Sequence, residues 1–135
     1  MRILVFGGNS LLARAFSDIA REQVELRVAG HAEIDRPALL DGVDVVVNFA
    51  RHPDDMRLPH DPARDVDVRL AVRAAGTSAR FVMLSSRKVY DQAAQWGAAE
   101  TSPLAGLDIY GRNKVAAEAA VAALIAPERL LVLRI

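Results

Sequence analysis

Ile3 to Phe6 is a short unbroken apolar run that ends in two glycines, the pattern of a strand in a parallel sheet covered on both faces. From Ser10 to about Arg21 the period changes: Leu12, Phe16, Ile19 and Ala20 fall on one helical face, and Ser10 supplies a start signal. Val24 to Ala29 alternates apolar with charged residues, as a less covered strand does, and Gly30 stops it. Pro37 to Leu40 holds at most a helical turn before Asp44 to Ala50, whose Val45-Val46-Val47 run marks a third buried strand. The crossover between the second and third strands is therefore unusually short.

After a polar loop, Asp61 and Pro62 read as N-cap and first residue of a helix that Gly76 ends. Phe81 to Leu84 is the next strand. Asp91 to Asp108 is rich in Ala, Gly and Pro and carries the single tryptophan, Trp96, as a function-bearing loop does. Tyr110 opens an alanine-rich helix that runs to about Ile125, and Leu130 to Ile135 reads as a last buried strand. Five strands alternating with helices predict an α/β fold, a right-handed, doubly wound parallel sheet with its ligand crevice at the carboxyl ends of the strands.

Composition narrows the choice of function. The 135 residues suffice for one core, and a chain that is 52% hydrophobic and 25% charged is that of a globular domain, not a disordered one. Seventeen basic residues balance 17 acidic ones, so no net field draws the protein to nucleic acid or to an acidic membrane. The absence of cysteine excludes disulfides and thiolate ligands and fits a reducing, cytoplasmic setting. The first apolar run is cut at Gly7-Gly8-Asn9, short of a signal sequence, and no run approaches the roughly 20 residues that cross a bilayer.

Three constellations carry candidate chemistry. Gly7 to Ala13 joins a strand to a helix through a turn of small residues, which leaves backbone N–H groups free for a phosphate; the same turn also occurs in folds that bind no nucleotide. Tyr110 and Lys114 stand four residues apart on one helical face. A phenol with a pKa of about 10 moves protons poorly at neutral pH, and a nearby ammonium stabilises its phenolate. The plain alternative is a surface lysine beside a partly buried tyrosine. Ser85 and Ser86 follow a strand and face the predicted crevice, either as a helix cap or as a hydroxyl for a substrate oxygen. His52, Asp54, Asp55 and His60 lie in a proline-punctuated loop with no helix to fix their geometry, so no metal is expected there. Trp96 either lines the substrate entrance or covers the core.

Taken in order, Gly7 to Ala13, Asp35, Asn48-Phe49-Ala50, Ser85 to Tyr90, Glu100-Thr101-Ser102-Pro103, Tyr110, Lys114 and Glu118 resemble the extended short-chain dehydrogenases/reductases, in the branch of dTDP-4-dehydrorhamnose reductase. The resemblance covers the whole chain and implies that residues 1–135 form an NAD(P)-binding domain of Rossmann type. It implies hydride transfer at a sugar carbonyl or alcohol, as 4-keto reduction or epimerisation of a nucleotide-linked sugar. Tyr110 would then be the proton donor or acceptor, Lys114 would tune it and hold the nicotinamide ribose, and Ser86 would bind the reacting oxygen. Gly7, Asn9, Ser10, Leu11 and Leu12 would meet the pyrophosphate, Gly30 and His31, at the end of the second strand, the cofactor near its ribose 2′-hydroxyl, Asp35 the adenine, and Phe49, Ala50 and Arg51 the cofactor's middle. Ser85, Tyr110 and Lys114 would complete the cofactor contacts. A homodimer through the two helices that include Tyr110 is one assembly the resemblance allows.

Departures from the family pattern matter as well. Only Gly7 of the three pattern glycines is kept, Ser10 and Ala13 replacing the others. Gly30-His31 stands where NAD-preferring relatives carry an acid, which tilts the expectation towards NADP(H) over NAD(H). Arg87-Lys88 replaces the Asp-Glu of dehydratases. Leu131 to Ile135 ends where family members continue into a substrate-binding region, so a catalytically silent NAD(P)-binding sensor or subunit is the rival reading.

Overall fold

Leu4, Val5 and Phe6 have no exposed surface, because the strand that carries them is hydrogen-bonded on both sides and covered on both faces. The computed structural model describes residues 1–135, and in it five strands form one all-parallel sheet. These are β1 (Arg2–Phe6), β2 (Glu25–Ala29), β3 (Val45–Asn48), β4 (Arg80–Ser85) and β5 (Leu130–Arg134), in the order β2-β1-β3-β4-β5. The chain leaves β1 on one side to make β2 and returns on the other to make β3. The carboxyl ends of β1 and β3 therefore flank the point where a ligand crevice opens. The expected short crossover is found as two 3₁₀ turns, His31–Glu33 and Pro37–Leu40, with Leu39 and Leu40 buried against the sheet.

One face of the sheet carries α1 (Leu11–Ala20), and the other carries α2 (Val66–Ala75) and α3 (Ile109–Leu124). The larger core packs Leu4, Phe6, Val46, Phe81 and Met83 against Leu70, Ala71, Ala74, Ala117 and Val121 of the helix pair. Ser10 caps α1 as its sequence promised, its Oγ accepting the Ala13 N–H at 3.1 Å. The start of α2 corrects the sequence reading. Asp61 accepts the N–H of Ala63 with its side chain and those of Arg64 and Asp65 with its carbonyl, which makes a turn; Asp65 is the cap, accepting the Val68 N–H at 3.0 Å. Gly76 ends the helix where expected.

The second face is only half covered. α1 buries Ala13 and packs Phe16 on Ile3, Val5 and Val47, while Leu12 and Ile19, expected on its buried face, remain exposed. Beside them Val45, Val47, Val82, Leu84, Leu131, Leu133 and Ile135 line an apolar groove of about 590 Å³. Accordingly β5 is an edge strand with Leu131 and Leu133 exposed, not the buried strand its composition predicts. No helix is long and apolar enough to cross a membrane.

Candidate functional site

The turn after β1 needs glycine for two separate reasons. Gly7 has φ +84°, and a Cβ there would lie 2.7 Å from the backbone nitrogen of Ala50. The β1–α1 turn is thus pressed against the segment that follows β3. That segment is shaped by Asn48, whose Oδ1 accepts the Ala50 N–H at 2.9 Å and whose Nδ2 donates to the Ala50 carbonyl at 3.0 Å. Phe49 is steadied by Phe16, ring centroids 5.6 Å apart. Between these parts opens a cleft of about 490 Å³ lined by Gly7, Gly8, Asn9, Ser10, Gly30, His31, Glu33, Phe49, Ala50 and Arg51.

A second cleft of about 220 Å³ shares Phe49, Ala50 and Arg51 with the first, so the two form one trough across the ends of β1, β3 and β4. Its remaining lining includes Leu12, Ser85, Ser86, Tyr110 and Lys114. Ser86 caps the 3₁₀ turn Arg87–Val89, its Oγ accepting the Lys88 N–H at 3.3 Å, so its own hydroxyl proton stays available. Tyr110 reaches the same cleft because α3 starts hard against that turn: a Cβ on Gly111 would lie 2.3 Å from the Lys88 carbonyl oxygen. Lys114, 6% exposed, donates to Asp67 Oδ2 at 2.8 Å and to the Leu84 carbonyl at 3.0 Å. Burial works against this ammonium, but the Asp67 charge and hydrogen bond, with Tyr110 and Asp65, outweigh it and hold its pKa above the ordinary lysine value. Burial likewise pushes the Asp67 carboxyl up, against the pull of Lys114 and Asn48.

The family model described as RmlD substrate binding domain matches residues 1–135. The chain belongs to the RmlD substrate-binding domain family. Solved structures agree with that fold. A dTDP-4-dehydrorhamnose reductase from Clostridium acetobutylicum superposes with a TM-score of 0.82 at 21% identity, covering 99% of this chain and 52% of that one. The Bacillus anthracis dTDP-4-dehydrorhamnose reductase in complex with NADP gives 0.74 at 16% identity, over 98% and 52% of the two chains. UDP-glucuronic acid 4-epimerase from Bacillus cereus in complex with NAD gives 0.75 at 19% identity, over 99% and 56%. The chain spans about half the length of these proteins. No curated protein matches its sequence.

Within this RmlD-family fold most of the expected residues meet in the trough; Leu11, 82% exposed, is absent from its lining, and Asp35 and Ser85 depart from expectation as well. Asp35 lies outside the lining, exposed, with both carboxylate oxygens on Arg69 of α2 at 2.9 Å. Ser85 lines the cleft but turns its hydroxyl away to Glu118, which also takes the guanidinium of Arg134. Gly30-His31 do follow β2, and the carboxylate that reaches the cleft comes from the crossover beyond them. Glu33 folds back on the 3₁₀ turn, accepts the Gly30 N–H at 3.0 Å and joins the lining. Trp96 is 88% exposed beneath the Arg87 guanidinium, 5.7 Å from its ring centroid, and so covers no core.

His52, Asp54 and Asp55 cap and close the 3₁₀ turn Pro53–Met56, and the Asn113 amide clamps that loop through the carbonyls of Asp55 and Leu58. No group of three or more His, Asp or Glu side chains is arranged to hold a metal ion. Sequence reasoning misses Asp67, Glu33 and Asn113. The readable signal for Asp67 is a carboxylate inside the apolar stripe that continues through Leu70, Ala71 and Ala74.

Asp108 holds the start of α3 and with it Tyr110. It accepts the Lys88 ammonium at 2.6 Å and the Gly111 N–H at 2.8 Å, and these bonds, Lys88 first, keep its carboxyl below the usual aspartate range. Its contribution to stability is accordingly full above the pKa of an unfolded aspartate and lost as the pH falls through the folded value. Asp108→Ala is expected to cost about 1 kcal/mol at neutral pH. The difference from the parent chain should shrink once the pH is below the ordinary aspartate value of about 3.9, as the parent's own carboxyl protonates. Urea unfolding at the two pH values measures it.

Proposed function

We propose that residues 1–135 are the NAD(P)-binding domain of an oxidoreductase that acts on a nucleotide-linked sugar, by reduction of a 4-keto group or by epimerisation. The observation that carries this reading is the single trough in which the glycine turn at one end and Ser86, Tyr110 and Lys114 at the other share the wall Phe49-Ala50-Arg51.

The residues present fit a dinucleotide. Gly7 leaves open a cradle that a Cβ would fill, and the first N–H groups of α1, on Leu11 and Leu12, have no acceptor upstream in the helix and suit a pyrophosphate. Asn9 and Ser10 flank that position, and in the same cleft Gly30 and His31 would face the adenosine end while Arg51 would offer a cation midway. Glu33 offers a carboxylate to a ribose hydroxyl, which sets NAD(H) beside the NADP(H) favoured by the Gly30-His31 sequence alone.

A nicotinamide held in this trough would supply or accept the hydride. In the reductive direction the Ser86 hydroxyl donates a hydrogen bond to the sugar carbonyl oxygen, and the Tyr110 phenol delivers the proton to that oxygen. Lys114 stabilises the phenolate that remains. The remainder of the sugar site and the choice of sugar would come from polypeptide outside residues 1–135.

Titration of the purified chain with NADPH and with NADH, followed by nicotinamide fluorescence, tests the reading. Micromolar binding of at least one is expected. A folded chain that binds neither would exclude the cofactor assignment.

A further inference from the structure

Lys114 has three N–H donors, and the fold uses two of them, on Asp67 Oδ2 at 2.8 Å and on the Leu84 carbonyl at 3.0 Å. Asp67 is 2% exposed, and its other oxygen accepts the Asn48 amide at 2.7 Å. Asn48 is fixed in turn by both polar groups of Ala50. One line of hydrogen bonds thus runs from the wall of the trough through β3 and α2 to the ammonium on α3. A buried ion pair is a poor source of stability, since well-packed apolar residues of similar volume serve a core as well or better. The two carboxylate oxygens of Asp67 are instead divided between the two groups whose orientation shapes the trough.

We propose that Asp67 is a positioning residue: it holds the Lys114 ammonium against the Leu84 carbonyl so that one N–H is left for the trough, and its carboxylate keeps that buried group charged beside Tyr110. The inference rests on the reading of Lys114 as the partner of Tyr110. The charged and titratable groups around Lys114 are Asp67 on α2, Asp65 at its cap with His60 beside it, and Tyr110 on α3 itself. β3 contributes only the neutral Asn48, and β4 only a carbonyl. Glu118, one turn further along α3, is taken by Arg134 and Ser85. On the trough side, Arg51 shares the lining with Tyr110.

Phenolate absorbance read against pH tests the proposal without cofactor or substrate, so its failure is separable from failure of the functional reading. The chain has two tyrosines, and the Tyr110→Phe chain identifies which titration belongs to which. Asp67→Asn removes the negative charge at almost constant volume and leaves burial to act on Lys114, so the Tyr110 midpoint is expected to rise by about one unit as the ammonium beside it is weakened. A midpoint that stays within a few tenths of a unit, or falls, overturns the proposal. Should Asp67→Asn fail to fold, the double variant Asp67→Leu/Lys114→Met replaces the pair by apolar side chains and keeps the local net charge. Its Tyr110 midpoint is expected to rise by about one unit, and a midpoint within a few tenths of the parent's shows the pair idle at Tyr110 and overturns the proposal.

Discussion

On the function proposed above, Tyr110→Phe is expected to lower kcat for reduction of a nucleotide-linked keto sugar by about 10²- to 10⁴-fold. The substitution removes one oxygen and leaves the α3 backbone, its Asp108 cap and the Lys114–Asp67 pair in place. Cofactor affinity should therefore change by less than about threefold, since the phenol is one of many contacts along the trough. The loss should appear in single-turnover oxidation of the nicotinamide followed at its absorbance maximum. A Tyr110→Phe chain that retains more than a tenth of the parent kcat would remove Tyr110 from the proton path and leave Ser86 as the remaining candidate.

Gly7→Ala is expected to strike both stability and binding. At φ +84° an alanine occupies a backbone region that costs about 1–3 kcal/mol for a non-glycine residue. The added methyl would also stand 2.7 Å from the Ala50 nitrogen and 2.9 Å from its Cα, backbone atoms that Asn48 holds in place. Relief requires the turn and the Phe49–Arg51 wall to separate, which spoils the pyrophosphate cradle. Dinucleotide affinity should fall at least about tenfold, alongside the loss in urea stability. Gly30→Ala is the control, because a Cβ there meets nothing within 4 Å; its stability should stay within about 0.5 kcal/mol of the parent.

Features that local chemistry decides were legible in the sequence. The apolar run before Gly7, the Ser10 cap, the short crossover and the start of α3 near Tyr110 all follow from residues within a few positions of one another. Where two local solutions compete, distant packing chose. Asp61-Pro62 and Asp65 are both credible helix starts, and burial of Val66 and Asp67 selects the second. Likewise Glu33 and Asp35 are both acids of the β2–β3 crossover. The bond from Gly30 draws Glu33 into the trough, while Arg69 on α2 draws Asp35 out of it. Asp67 gains its meaning only from Lys114, 47 residues away, and no spacing rule along the chain links them.

The half-covered face of the sheet bears on how the chain unfolds. Side chains of β3, β4 and β5 that line the apolar groove remain partly in water in the folded state, so unfolding exposes less new apolar surface than in a domain of equal length with both faces sheathed. Both the heat-capacity increment and the denaturant sensitivity scale with that newly exposed area. Residues 1–135 should therefore melt over a broader range of temperature and of urea than their length alone implies, with a flatter stability curve on either side of its maximum.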